Sequence, residues 1–495
     1  MRNKILSLVA VISGLFICSV GCYAADISSV TAKSWSNYFE YFAECPVSVG
    51  VCIFSIIAVI IFAIFCRPLA KKLNGTNSSK MIGAFIAILA VSGAGMFITS
   101  LISDGTAFGH LLHSENTDPG ATFHFFDYLN SLRNAGSKNF ELMAEEYSPA
   151  SMLIFYVIAQ FMPNKYISST GIAALIKMSR EQTFVYCYLI IITFIILFIN
   201  KFNNEILRAN GNKTKNEIFT FLLIITYPTL YCIKLGNIIG LSFTFLMAFI
   251  AFYNSEKRTN REIALVALGI SAAITPYTIV FALLLLTKKK DSVYQLAKAL
   301  LYSVILFMAP AFFTGFGNML EYIKHLFVTP SSISIENIAV SGILRFIGIE
   351  SDAVIYVIGT IFALVALACI FILPATWQKT AAAVYFIIDI VPSAPNAILL
   401  FVFIPFVLML AEKSHKAIDW MYFAAFSLLV LPIPEWFMAD GDAFHSMFES
   451  IGVYVVHNAN ELIAPFAIQL IFVLCVCQAV SALKADKKQK NISTE

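Results

Sequence analysis

A chain of 495 residues that is 59% hydrophobic and only 13% charged, with a mean hydropathy of +0.81, is excluded from the ordinary soluble class, in which about a quarter of residues carry charge. The composition is that of an integral membrane protein, and a net charge of +3 over such a length carries no signature of a nucleic-acid partner. Most of the ten cysteines sit inside apolar runs and read as small hydrophobes; Cys475-Val-Cys477 lacks a second ligand pair at zinc spacing, so no metal and no cofactor is expected.

Residues 1–25 combine Arg2 and Lys4, an apolar run from Ile5 to Val20, and the small-residue end Cys22-Tyr-Ala-Ala25, the pattern of a signal peptide. An uncleaved first span is the alternative. Residues 26–485 read as a single membrane domain, and 486–495 as a basic cytoplasmic tail. A span takes about 20 apolar residues, so the pattern yields an all-α polytopic bundle of about eleven to thirteen helices.

Val47 to Phe65 is a span that ends at Arg67, Lys71, Lys72 and Lys80, which marks the cytoplasmic side by the positive-inside rule. Met81 to Leu101 then crosses outward, and the loop 104–149 lies outside. From Asp104 to Tyr147 it holds three Asp, three His, four Glu and two basic residues; a long loop of this kind is usually functional. Asp118, His124 and Asp127 are its candidate general bases. His124 and Asp127, three apart, share one face of a helix, while Phe123, Phe126 and Asn130 share another, as on a helix lying in the membrane interface. An interfacial helix without chemistry is the plain alternative. Arg133 and Lys138 are candidate phosphate contacts or solvated charges, and Tyr147-Ser-Pro149 opens the next helix.

Pro149 to Met162 and Ile167 to Met178 fall short of a full span. Phe184 to Ile199 leads to the basic stretch Lys201 to Lys215, and Ile218 to Cys232 leads out to the turn Lys234-Leu-Gly-Asn237. Glycine there lets a ligand approach the backbone, and Lys234 is either a point charge for phosphate or a snorkelling helix-end lysine. Ile239 to Tyr253 returns. The run from Ile263 to Leu286 is broken at Thr275-Pro276, where proline interrupts the helical ladder; a hairpin is expected, because Lys288-Lys289-Lys290 belongs inside.

Leu300 to Phe313 emerges into the loop 318–352, which contains Asn337, Ser341, Gly342 and Arg345. Arginine forks onto phosphate oxygens, which makes Arg345 the preferred lipid-phosphate contact. Ala353 to Leu373 returns, Ala381 to Ile390 exits, Val391 to Pro395 turns, Ala397 to Leu410 comes back to Lys413 and Lys416, and Ile418 to Ile433 exits to a third loop, 435–461. Its Asp440, Asp442, His445 and His457 match no metal motif. Pro465 to Ala482 ends at the basic tail. The spans carry few charges, unlike a transporter, which places polar groups near the midplane.

The residues Phe125-Phe126-Asp127-Tyr128, Tyr147-Ser-Pro149, Gly236-Asn237, Thr275-Pro276, Asn337 with Ser341-Gly342 and Arg345, and Pro392 with Pro395 follow an order that resembles glycosyltransferase family 87, over roughly 104–410. The resemblance implies a GT-C-like bundle whose outer loops carry short interfacial helices. It also implies an inverting enzyme that moves a sugar, a mannose-like hexose or a pentose, from a polyprenyl-phosphate donor to a lipid or glycan acceptor. The site would use Asp118, Asp127 or His124 as base and Arg345, Lys234, Asn237, Asn337, Ser341, Arg133 and Tyr147 as substrate contacts. One departure is that the family's catalytic Asp aligns near His124, between two neighbouring carboxylates. The expected setting is the periplasmic face of a bacterial inner membrane, with membrane lipids as partners and the C-terminus cytoplasmic. A flippase or transporter of lipid-linked sugars, or an O-antigen-type ligase or polymerase, is the alternative. A transferase needs a carboxylate and Arg345 at one outward cavity, whereas a transporter needs a polar path across the midplane.

Overall fold

The computed structural model describes residues 76–102, 125–163, 175, 177–178, 181–208, 213–286, 291–327, 338–346, 351–391, 396–432 and 459–494. Outside the described residues lie the segment 1–25, the Val47 to Phe65 span, Asp118, His124, Asn337, the turn 392–395 and nearly all of the third loop. The side chain of Arg345 is outside them too.

The chain is an all-α polytopic membrane protein. Among the described residues, five helices are long and apolar enough to cross a bilayer: Ser78–Ile98 within α1 (Ser78–Ile102), α4 (Gln182–Leu207), the Ser292–Thr314 run that begins with α9 (Ser292–Met308), Ala353–Ile372 within α12 (Asp352–Ile372), and Ile463–Ala485 within α16 (Ala459–Thr494). A sixth is bent by 49° between α5 (Lys213–Leu222, continued to Ile225) and α6 (Tyr227–Leu235). The bend has a local cause, since Pro228 cannot donate into the helical ladder and Thr226 before it is extended. Along α4, Leu189, Ile190, Phe194 and Leu197 are exposed. A continuous apolar face of that size belongs against hydrocarbon.

Several other expected spans are shorter. α7 (Ile239–Phe252) and α14 (Phe403–Ala411) are buried on nearly all sides, so their backbone and side chains are enclosed by neighbouring helices and neither has to match the bilayer thickness alone. α3 (Pro149–Ala159) is too short to cross alone. Ser151 Oγ donates to the Ile274 carbonyl at 3.3 Å, and the Tyr156 ring lies 4.7 Å from Phe313 and 6.1 Å from Phe140. The helix therefore rests against the ends of its neighbours.

The expected hairpin at Pro276 is present. α8 (Arg258–Ile274) and α9 run parallel: Glu262 meets Lys298 at 2.5 Å, and further along both helices Gly269 packs against Tyr302 and Leu306. Parallel neighbours need a connection that runs back, and the 3-10 helix Pro276–Leu285 supplies it, covering about 20 Å at roughly 2 Å per residue. Hydroxyls of Ser242, Ser271, Thr275 and Thr278 bond one another at the break, so the polar groups there are satisfied inside the bundle.

Loops grouped together by the charge alternation are physically together. At the basic end, β1 (Thr76–Asn77) pairs antiparallel with β2 (Ser414–His415), and Lys215 Nζ donates to Ser79 Oγ at 2.8 Å. At the opposite end, α2 (Phe126–Gly136) meets the end of α6 through Phe125 N–H and the Lys234 carbonyl, 2.6 Å apart, and His325 approaches Glu145 at 3.8 Å.

Candidate functional site

The site is built where α2 starts. Phe125 precedes the helix with φ +65°, a left-handed conformation that a bulky residue seldom adopts without outside support. That support comes from two elements. The Phe125 N–H donates to the Lys234 carbonyl, and its ring lies 4.4 Å from Tyr188 of α4. Tyr188 in turn donates its hydroxyl to the Ile233 carbonyl and packs on the Tyr128 ring at 4.9 Å. The fixed entry sets Asp127 in the first turn of α2, where a helix N-terminus favours negative charge.

Asn237 follows the end of α6. Its Oδ1 accepts the Ile239 N–H at 2.9 Å, which turns the amide nitrogen toward Asp127, and Nδ2 donates to Asp127 Oδ2 at 3.0 Å. Between Lys234 and Asn237, Gly236 has φ +74°, and a Cβ there would sit 2.5 Å from the Cβ of Tyr128. Only glycine lets the end of α6 come this close to α2.

Burial pushes the Asp127 carboxyl up to about 6; the Asn237 hydrogen bond works against that rise and Glu146 adds to it. Glu146 is raised by its own burial and by Glu145. Tyr147 is held well above the ordinary phenol range, first by burial and then by Asp127 and Glu146, so its hydroxyl keeps its proton. Its ring is edge-on to Phe155 at 5.5 Å. The group therefore holds one carboxylate that can take a proton near neutral pH and one phenol that keeps its proton and can donate it in a hydrogen bond.

Lys234 lies in the last turn of α6, and the whole residue is 6% exposed. A snorkelling lysine would reach out of the bundle, whereas this one is enclosed. Its ammonium meets no carboxylate or hydrogen-bond acceptor among the described residues. A buried unpaired charge is costly, and an anionic group arriving beside it would offset that cost.

Asp127, Asn237 and Tyr147 are thus brought together, and the Lys234 backbone carbonyl holds the residue at which α2 starts. Arg133 is not aimed with them: six residues after Asp127, it lies about 120° away around the helix, and its Nη2 donates to Asn130 Oδ1 at 2.8 Å. Ser341 and position 345 stand on a separate helix, α11 (Val340–Phe346), docked on α12 through Val340, Leu344 and Ile355. Among the described residues, no three His, Cys, Asp or Glu side chains gather as metal ligands would.

Three residues escaped the sequence reading. Glu146 and Tyr188 flank Asp127 electrostatically; Glu146 adjoined a recognised motif, but Tyr188, inside an apolar span, gave no signal. Asp389 closes α13 (Thr376–Ile390), and its two oxygens are buried with no hydrogen-bond partner among the described residues. A carboxylate within an apolar run is itself a signal of function.

The model of glycosyltransferase family 87 matches residues 147–401, a stretch that begins at Tyr147 and takes in Lys234, Asn237, α11 and Asp389. No curated protein and no solved structure matches the chain.

Proposed function

From a chain that belongs to glycosyltransferase family 87, and is therefore a membrane glycosyltransferase using a sugar donor and an acceptor, we propose an inverting transfer from a polyprenyl-phosphate sugar to a lipid or glycan hydroxyl. The transferred sugar is a mannose-like hexose or a pentose. Asp127 takes the proton of the acceptor hydroxyl, whose oxygen attacks the anomeric carbon from the face opposite the phosphate. The bond from that carbon to the phosphate oxygen breaks, and its electron pair leaves with the polyprenyl phosphate. Asp118 and His124 remain the other candidate bases.

A base titrating at about 6 is ionised at neutral pH and retains useful basicity. Asn237 orients it, and Tyr147 donates to substrate oxygens. Lys234, with Ser341 and Arg345 from α11, holds the departing phosphate; preorganised charge of this kind is usually the largest catalytic contribution. The reaction is assigned to the periplasmic face of a bacterial inner membrane with a cytoplasmic C-terminus, because the lysine-rich loops gather at the other end. The observation that carries this reading is the Asp127–Asn237 hydrogen bond at the end of a helix whose last turn holds a buried lysine with no counter-anion among the described residues.

Purified protein incubated with radiolabelled polyprenyl-phosphate sugars and lipid or glycan acceptors tests it. Wild type should form labelled product, and Asp127→Asn, Lys234→Met and Arg345→Ala should each lose about 100-fold or more. Equal turnover in Asp127→Asn moves the base to Asp118 or His124. Absence of transfer from every donor, together with movement of labelled lipid across a vesicle, replaces the transferase reading with transport.

A further inference from the structure

The end of α6 is held partly from outside the helix. The last carbonyls of a helix have no partner in their own ladder. Here the Cys232 carbonyl accepts the N–H groups of Gly236 and Asn237 at 3.0 and 3.2 Å, and the Lys234 carbonyl accepts that of Phe125 at 2.6 Å. The Ile233 carbonyl between them accepts the Tyr188 hydroxyl. The partners thus come from the following turn, from the start of α2 and from the spanning helix α4.

Tyr188 is 3% exposed although its chain neighbours Leu189 and Ile190 are exposed, so it points into the bundle. Its ring touches both sides of the site. The ring centre lies 4.4 Å from that of Phe125 and 4.9 Å from that of Tyr128, residues that flank Asp127. A Cβ on Gly236, the residue before Asn237, would stand 3.3 Å from the Tyr188 Cε2. Two turns further along α4, Ile195 lies against Gly240 of α7. Asp127 and Asn237 are therefore each carried by chain neighbours that rest on α4, and the 3.0 Å bond joins them directly. α2 and α6 have 11 and 9 residues, lengths at which a helix takes its position from packing and not from its own stability.

We propose that Tyr188 is a positioning residue whose ring seats the start of α2 and whose hydroxyl seats the end of α6, so that one side chain of α4 sets the separation of Asp127 from Asn237. The inference rests on the reading of Asp127 as the base. Removal of the hydroxyl keeps the ring against Phe125 and Tyr128 but leaves the Ile233 carbonyl without its donor. The end of α6 then shifts relative to α2, the Asn237 bond weakens, and Asp127 becomes harder to ionise.

The pH profile of kcat/KM, together with thermal unfolding in detergent, tests this in wild type, Tyr188→Phe, Asn237→Ala, the double variant, Asp127→Asn and Tyr186→Phe. The acid limb lies near 6 in wild type. It should rise by about 0.5 to 1 unit in Asn237→Ala, the worth of one hydrogen bond, and by about half a unit in Tyr188→Phe. The double variant should match Asn237→Ala, because a bond already removed cannot be weakened again. Tyr186→Phe, which alters a tyrosine on the exposed side of the same helix, should keep the wild-type limb. If Tyr188→Phe does not fold, Phe125→Leu loosens the same bracket from the α2 side, and a rise of about half a unit is expected there.

An acid limb that stays in place in Tyr188→Phe, whatever its melting temperature, overturns the proposal; loss of activity in Asp127→Asn then leaves the base reading standing. A double variant whose limb rises by the sum of the two single shifts also overturns it, because Tyr188 then acts independently of Asn237. An equal rise in Tyr186→Phe does the same. Wild-type turnover in Asp127→Asn, or an unmoved limb in Asn237→Ala, removes the base reading and the inference with it.

Discussion

Asn237 donates a 3.0 Å hydrogen bond to Asp127 across 110 residues of sequence, and this contact sets the direction of the carboxylate and opposes the rise in basicity that burial imposes. Asp127 titrates near 6 where an unfolded Asp titrates near 3.8. Activity that needs the ionised form should rise through an apparent pKa of about 6 in a profile of kcat/KM. Stability runs the other way: between about 4 and 6 the native chain holds a proton that the unfolded chain has released, so this group's contribution falls as pH rises through that window. Because the hydrogen bond lowers the pKa, Asn237→Ala should move the acid limb above 6. A limb that stays in place in that variant assigns the titration to another group.

Gly236 should tolerate no side chain. The positive φ costs any β-carbon residue about 1–3 kcal/mol, and the added Cβ would stand 2.5 Å from that of Tyr128. Asparagine accepts the left-handed conformation more readily than alanine, which separates the two causes. Thermal unfolding should show Gly236→Ala and Gly236→Asn similarly destabilised, because the collision with α2 is common to both. Substantial recovery by asparagine would place the cost in the dihedral angle instead.

Lys234 should separate function from stability. A buried lysine with no counter-anion among the described residues weakens the resting fold, while the same charge would stabilise a departing phosphate. Lys234→Met, similar in length and apolar, should lower kcat by about 100- to 1000-fold and leave the melting temperature unchanged or higher. A lowered melting temperature would mean that the ammonium is satisfied in the resting protein and is part of its architecture.

The sequence exposed most of the long spans because an uninterrupted apolar run and a following lysine cluster suffice to mark them. Met81 to Leu101 and Ala353 to Leu373 differ from α1 and α12 by three residues or fewer at each end. Short helices were harder to read. α3 is as apolar as a span, and only its length and its contacts with Ile274 and Phe313 set it apart from one. At the site, Asp127, Asn237 and Lys234 were legible from residue type and turn chemistry. Arg133 was chosen for its charge, but its helical position turns it from Asp127. Tyr188 works through a partner more than forty residues away, a relation no local pattern encodes.

The last prediction concerns a buried amide remote from this chemistry. Asn203 of α4 is fully enclosed, and neither its Nδ2 nor its Oδ1 has a hydrogen-bond partner among the described residues. It borders a small cavity with Thr220 and Thr229 whose other walls include Ile196, Ile199, Leu223 and Phe403. It lies about 22 Å along the helix from Tyr188, so a change here should leave transfer untouched. An unpaired buried polar group costs about 1–3 kcal/mol, and leucine has nearly the same size and suits the apolar walls. Asn203→Leu should therefore raise the melting temperature at unchanged kcat. A lowered one would mean that an ordered water, bonded by the two threonine hydroxyls, completes the amide's hydrogen bonds and belongs to the native structure.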